Sequence, residues 1–488
     1  MARGGPRRAW LAAVGLPLVA AVAAVALVRP FGVGPGPEAL VRRMPAPVPA
    51  VLSAIDATAP MPDAGGVAAA VDGVLARSTA DLVGARVVDA ATGTVLYERD
   101  ADVPAVPASA TKLATAAAVL ATLGPAHRIP TVAVAGSRAG EVVLVGGGDP
   151  TLAVDEDAAY PQAARLEDLA AQVRRALGGA AVTRVTVDSS LFTGDVYGPW
   201  DADVPTGGYA GPVTALMTDG GRVDPEAGTP AERFTEPDLA AGRAFAELLG
   251  ADPDGVTRGR APTPPVAPSP GPPAATSPPG TPSPTPAAPT AAPATGGPAP
   301  GTELGRVFSP PLLRLVDIML ATSDNVLAEA LARLVAAARG QPVTFQGAGD
   351  AVVGALADLD LRVDGSRLAD GSGLSRRNRL SATLLTDLLT TALARPDLAG
   401  VVSGLPVAGW SGTLADRYRP PQPGTAAGAG VVRAKTGTLS GVSSLAGVLV
   451  TADGRLLVFA LVANGAPDGT ADLLDEVAAT LAGCGCAG

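Results

Sequence analysis

Lysine is almost missing from this chain: of 36 basic residues only Lys112 and Lys435 are lysines, and all the others are arginine. Histidine is scarcer, with His127 alone, and cysteine occurs only as Cys484 and Cys486 in the last five residues. Aromatic residues make up 3% of the 488 positions. Each shortage closes a route. One histidine permits at most one Ser-His-Asp triad and excludes the kind of catalytic zinc site that needs two or more His ligands. Two terminal thiols cannot hold a tetrahedral metal; they either close a disulfide across Gly485 or stay free on a tail. No metal or cofactor is therefore expected. The net charge of −10, with no basic cluster past the first residues, leaves no positive face for nucleic acid. The cores must be built from Ala, Val and Leu.

The residues that are plentiful are equally uneven in their placing. Arg3, Arg7 and Arg8 precede an uncharged run at 9–28 that ends at Arg29. A run of that length is enough to cross a bilayer as a helix, and the flanking positives place the chain beyond Arg29 outside the cytoplasm. A cleaved signal peptide is the other reading, and export results from both. Residues 30–65 read as a stalk rich in Pro, Gly and Ala, and 261–302 as a disordered loop or linker of Ala, Pro, Thr, Ser, Gly and one Val, with almost nothing to bury.

Between these tracts the pattern predicts strands at 82–89 and 94–98, a helix at 109–123, a hairpin within 132–145, a helix at 167–177 and a strand at 182–188. Two helices come next at 312–321 and 326–338, broken at Ser323-Asp324-Asn325. The chain ends in strands at 431–435, 442–451 and 455–462 and a helix at 472–481. An early hairpin and a late meander predict one sheet assembled from both ends, hence a discontinuous domain with something inserted in it.

The two lysines stand where the chemistry is expected. Guanidinium stays protonated, so a chain that uses arginine for solubility needs lysine where an amine must lose its proton or fit a small space. Lys112 lies three residues after Ser109 at a helix start, so the two share a face, and a serine hydroxyl attacks only when a neighbouring base takes its proton. Ser323-Asp324-Asn325 has N-cap composition and, in an interhelical turn, also presents Ser323 and Asn325 to a cleft. Lys435-Thr436-Gly437-Thr438 reads as the end of a strand, with a charge, two hydroxyls and a glycine that admits a ligand close to the backbone. Each motif alone is weak. Together and in this order, S-x-x-K, S-D-N and K-T-G form the signature of penicillin-binding proteins and class A β-lactamases. His127, at a helix-to-strand junction, reads as structural.

On these motifs the sequence resembles the class C low-molecular-mass penicillin-binding proteins, the D-alanyl-D-alanine carboxypeptidase/endopeptidase family. Gly146 to Thr151, Asp370 to Ser375 with Asn378 and Arg379, and the segments 405–409 and 412–414 resemble further stretches of that family. The resemblance implies an α/β (α+β) transpeptidase/β-lactamase-like domain, a five-stranded antiparallel sheet flanked by helices. It would be formed by 66–128 and 303–483, with a smaller domain inserted at 129–260 and a tail at 484–488. It also implies a serine D-Ala-D-Ala carboxypeptidase acting on peptidoglycan stem peptides and trapped by β-lactams. Ser109 would be the nucleophile and Lys112 its base, with Ser323 relaying a proton and Asn325 holding Lys112 or the acyl side chain. Lys435 would set the electrostatics, Thr436, Gly437 and Thr438 would bind substrate, and the Ser109 and Thr438 amides would form the oxyanion hole. Cross-link endopeptidase, β-lactamase and inactive wall-binding scaffold remain as alternatives. Asp201 and Asp203 are candidates for reading the third residue of the stem, against a plain surface loop. The oligomeric state is open.

Overall fold

The computed structural model describes residues 58–263, 297–420, 422 and 424–484. The apolar run at 9–28, the stalk up to residue 57 and most of the Pro-rich tract lie outside them. Among the described residues no helix is long and apolar enough to cross a membrane. The strands in chain order are β1 (Leu82–Asp89), β2 (Val95–Arg99), β3 (Pro130–Ala135), β4 (Glu141–Gly146), β5 (Arg184–Asp188), β6 (Thr257–Arg258), β7 (Glu303–Phe308), β8 (Arg433–Leu439), β9 (Val442–Val450) and β10 (Leu456–Asn464).

Five of them form an antiparallel sheet in the order β2-β1-β10-β9-β8. Its centre reads as unbroken apolar sequence because both faces are covered. Along β10, Leu457, Phe459, Leu461 and Ala463 pack with residues of the Ala64–Leu75 and Thr470–Gly483 helices. The alternate residues Val458, Ala460 and Val462 join the core built on the Thr111–Leu123, Asn325–Ala338 and Ala382–Ala394 helices. Period-two alternation is thus present in which helix layer each side chain meets, rather than in polarity.

The second sheet has the order β6-β5-β4-β3-β7, with β3 antiparallel to β4 and β7, and β5 parallel to β4 and β6. Two expectations are corrected here. Residues 303–308 pair with β3, Thr131 opposite Val307, so this strand belongs to the inserted sheet and not to the catalytic one. The stretch 129–260 is also not self-contained. Ala133, Leu144, Val185 and Phe245 lie in a core of their own, but Tyr160, Phe192, Val204, Val213 and Met217 are buried in the core of the main helices. A single apolar core therefore reaches across the sequence boundary. At the N-terminus the helix begins at Ala64, capped by Asp63 through the Gly66 amide, two residues before the expected boundary. Cys484 is disulfide-bonded, which resolves the choice the sequence left open; Cys486 lies outside the described residues.

Candidate active site

Ser109 sits in a 3-10 turn, Ala108–Ala110, that feeds directly into the Thr111–Leu123 helix. The turn is held in an uncommon conformation: Ala108 has φ 47°, which non-glycine residues rarely adopt. The constraint comes from the sheet. Asn464 on β10 accepts from the Val106 amide at 2.9 Å and donates to its carbonyl at 3.0 Å, and the Ser444 hydroxyl on β9 donates to the Pro107 carbonyl at 2.7 Å. The helix start is therefore pinned to the strands that carry the rest of the cleft.

Lys112 is completely buried, and its amine uses all three of its donor positions. Nζ lies 3.2 Å from Ser109 Oγ, 2.7 Å from Asn325 Oδ1 and 2.7 Å from the Ser372 carbonyl oxygen. Burial brings its pKa down to about 8, against the opposing pull of the Asp370, Glu329 and Asp324 carboxylates. The structure thus brings together Ser109, Lys112 and Asn325 as the sequence foresaw.

The Ser323-Asp324-Asn325 turn is both cap and site. Asp324 is the N-cap of the Asn325–Ala338 helix, its carboxylate accepting from the Leu327 amide at 2.9 Å. Ser323 takes a left-handed conformation, φ 59°, and its hydroxyl makes no hydrogen bond among the described residues. Asn325 Nδ2 donates to the Tyr209 carbonyl at 2.9 Å. Two residues of the inserted segment, Tyr160 and Arg222, donate to Asp324 Oδ2 at 2.8 and 3.1 Å and fix the turn from behind. Buried as it is, Asp324 is held below the usual carboxylate range by Arg222, the Leu327 amide, Arg233 and Tyr160, which together outweigh desolvation.

The Lys435-Thr436-Gly437-Thr438 motif lies within β8, which runs on to Leu439, and not at a strand end as expected. The reason is that β8 is the outermost strand: β9 pairs with one side through Leu439, and residues 406–408 cover the other side only near its start, by Ala434 N–H to the Pro406 carbonyl and Ala408 N–H to the Val432 carbonyl. Lys435 is fully buried, with Nζ 2.9 Å from the Thr436 carbonyl. Burial, then the positive charges of Lys112 and Arg417, push its ammonium well below its ordinary range. The Thr436 hydroxyl pairs with that of Thr413 at 2.8 Å, whereas Thr438 is exposed. At Gly437 a Cβ would collide with Ser444 Oγ and lie 2.7 Å from the Pro107 carbonyl and 3.0 Å from the Ser109 amide nitrogen. Only glycine lets β8 come this close to the nucleophile's turn.

Four contributions were not foreseen. The Asp370–Ser375 segment, recognised only as a pattern, supplies the Ser372 carbonyl to Lys112. Asp370 shapes this loop by accepting from the Gly373 and Ser375 amides, Asn378 and Trp200. Glu329, the Tyr209 carbonyl and the Tyr160–Arg222 pair were also missed. Glu329 left a signal: a carboxylate four residues after Asn325 in a helix otherwise apolar except for Arg333. Asp201 is ion-paired with Arg376 at 2.7 Å, and Arg376 also donates to the Ser440 carbonyl; Asp203 is exposed. His127 is exposed and reaches the Leu312–Thr322 helix through its backbone carbonyl. Among the described residues no group of His, Cys, Asp and Glu could hold a metal ion.

This geometry agrees with what the chain resembles as a whole. Residues 67–247 and 291–482 match the model of the D-Ala-D-Ala carboxypeptidase 3 (S13) family. The chain is 38% identical over 491 residues to Carboxypeptidase DacB of Mycolicibacterium smegmatis, covering 98% of both chains. It is 34% identical over 435 residues to a D-alanyl-D-alanine carboxypeptidase of an Actinomadura species, covering 78% of this chain and 77% of the relative. Among solved structures, penicillin binding protein 4 (dacB) of Haemophilus influenzae shares the fold with a TM-score of 0.65 at 21% identity, over 84% of this chain and 97% of that one. The chain belongs to the D-Ala-D-Ala carboxypeptidase 3 (S13) family.

Proposed function

We propose that this enzyme hydrolyses the terminal D-Ala-D-Ala bond of peptidoglycan stem peptides through an acyl-enzyme on Ser109. The observation that carries the reading is the buried Lys112 amine, 3.2 Å from Ser109 Oγ and with a pKa brought down to about 8. An amine so placed gives up its proton near neutrality, which an arginine would not. Ser109 Oγ attacks the carbonyl carbon between the two D-alanines while its proton passes to Lys112. The C–N bond then breaks as Lys112 returns that proton, through Ser323, to the leaving D-alanine amine. The Ser109 and Thr438 amides take the oxyanion, Thr436 and Thr438 take the terminal carboxylate, and Lys435 sets the electrostatics of the cleft. Water then releases the acyl group and restores Ser109. A β-lactam acylates the same oxygen without a departing amine. We place the enzyme outside the cytoplasmic membrane, on the support of the apolar run at 9–28 behind Arg3, Arg7 and Arg8.

The test is mass spectrometry after incubation with benzylpenicillin, with the modified peptide then mapped. One adduct per chain on the peptide holding Ser109, with D-alanine released from a D-Ala-D-Ala pentapeptide, is expected. No adduct and no D-alanine would leave a scaffold. Supplying a cross-linked dimer beside the pentapeptide measures endopeptidase action in the same assay.

The geometry predicts two further outcomes. Acylation is expected to rise with pH through about 8, because only the unprotonated Lys112 accepts the serine proton; stopped-flow acylation across the range reads this directly. Gly437→Ala is expected to slow acylation about 100- to 1000-fold, comparable to losing one oxyanion donor. Its methyl group overlaps Ser444 Oγ and the Pro107 carbonyl, which pin the Ser109 turn, so a variant acylating at the native rate would refute this role for the close approach.

A further inference from the structure

Glu329 lies on the helix that begins at Asn325, one turn further along the same face, and is fully buried. Its two oxygens accept from consecutive amides of the Asp370–Ser375 segment, Oε2 from Gly371 and Oε1 from Ser372, each at 2.9 Å. Ser372 is the residue whose carbonyl accepts from Lys112 at 2.7 Å. Carboxylate and amine thus hold one residue by its two backbone groups, the nitrogen from one side and the oxygen from the other. Asp370 closes the loop behind it through the Gly373 amide, and Thr115 donates to the Gly371 carbonyl at 2.7 Å.

We propose that Glu329 is a positioning residue for Lys112, one that anchors the Ser372 carbonyl against the amine and supplies a negative charge beneath it. The proposal rests on the reading of Lys112 as the base. A carboxylate suits the place because both its oxygens accept, whereas the amide of a glutamine would turn an N–H against one of two backbone N–H groups. The surrounding charges agree. Asp370, Glu329 and Asp324 favour the Lys112 ammonium, while Lys435 lies near enough to feel its charge. Glu329 in turn is opposed by burial and by Asp370 and favoured by the Ser372 and Gly371 amides and by Arg333 on its own helix, which leaves it at about 7. Both Glu329 oxygens accept from backbone amides, the arrangement of an ionised carboxylate, so removing its charge makes the ammonium harder to form. Lys112 then loses its proton at lower pH.

The composition makes the test direct. The full-length chain grown on lysine labelled with carbon-13 at Cε gives two lysine resonances, and their pH titrations are tracked separately by NMR. In Glu329→Gln the Lys112 midpoint is expected to fall by roughly one pH unit, the rising limb of acylation to move with it, and the maximal rate to drop. In Glu329→Asp, which keeps the charge but retracts it by one methylene, the Lys112 midpoint stays near native while acylation slows. A Lys112 midpoint unchanged in Glu329→Gln overturns the proposal. Should that variant fail to fold, a Glu329→Asp enzyme acylating at the native rate overturns it equally. A wrong base is distinguished from a wrong Glu329: Lys112→Arg would then still acylate, while Glu329→Gln would still move the Lys112 resonance.

Discussion

Ser109→Ala abolishes both the penicillin adduct and the release of D-alanine, with a fall in turnover of about a million-fold, the scale seen when a serine hydrolase loses its nucleophile. The loss is chemical and not structural. Ser109 is half-buried, and among the described residues its hydroxyl is joined only to Lys112, at 3.2 Å, so alanine leaves no cavity of consequence. Lys112 keeps its two shorter partners, Asn325 and the Ser372 carbonyl. The melting temperature is therefore expected within a degree or two of native, since surface-like truncations stay within about 0.5 kcal/mol. The neighbouring hydroxyls do not substitute: Ser444 is committed to the Pro107 carbonyl and Ser372 is buried beside Asp370. An adduct surviving in the variant would move the nucleophile elsewhere and undo the assignment.

Lys112→Arg costs up to about 10,000-fold in acylation, the upper range for loss of a general base. Arginine keeps the positive charge and can still donate to Asn325 and to the Ser372 carbonyl, but it has no lone pair to receive the serine proton at any pH the protein survives. Its larger planar head must also fit a space that is fully closed around an amine. The two effects separate by pH: the native enzyme speeds up through about 8, and the variant is expected to stay flat. A variant that keeps the rising limb would show that the limb belongs to another group.

The sequence disclosed the site better than the domains. Ser109, Lys112, Asn325 and Lys435 were legible because their chemistry depends on residue type at fixed local spacing, and because lysine is so rare here that its two positions stand out. The expectation of one sheet made from both chain ends was also legible, since β1, β9 and β10 carry long apolar runs. The features that stayed hidden were held by backbone atoms or by distant partners. The Ser372 and Tyr209 carbonyls have no residue code. Arg222 gives no local sign that it will meet Asp324, 102 positions away. Residues 303–308 were placed with the catalytic domain, with no strand foreseen there, because their pairing with β3 depends on tertiary geometry. The extent of β8 was misjudged because Gly437 reads as a strand stop, whereas the structure uses it to let two backbones meet.

The strand order has a consequence in time. β1 pairs along its length with β10, Leu82 opposite Asn464, and β8, which bears Lys435, is reached only through β10 and β9. During synthesis the serine emerges hundreds of residues before the strand that completes its surroundings, and contacts of such separation close slowly. No chain that stops short of β8 has the whole cleft. The cleft is complete only when β8 has paired with β9, so its assembly is an act of topology.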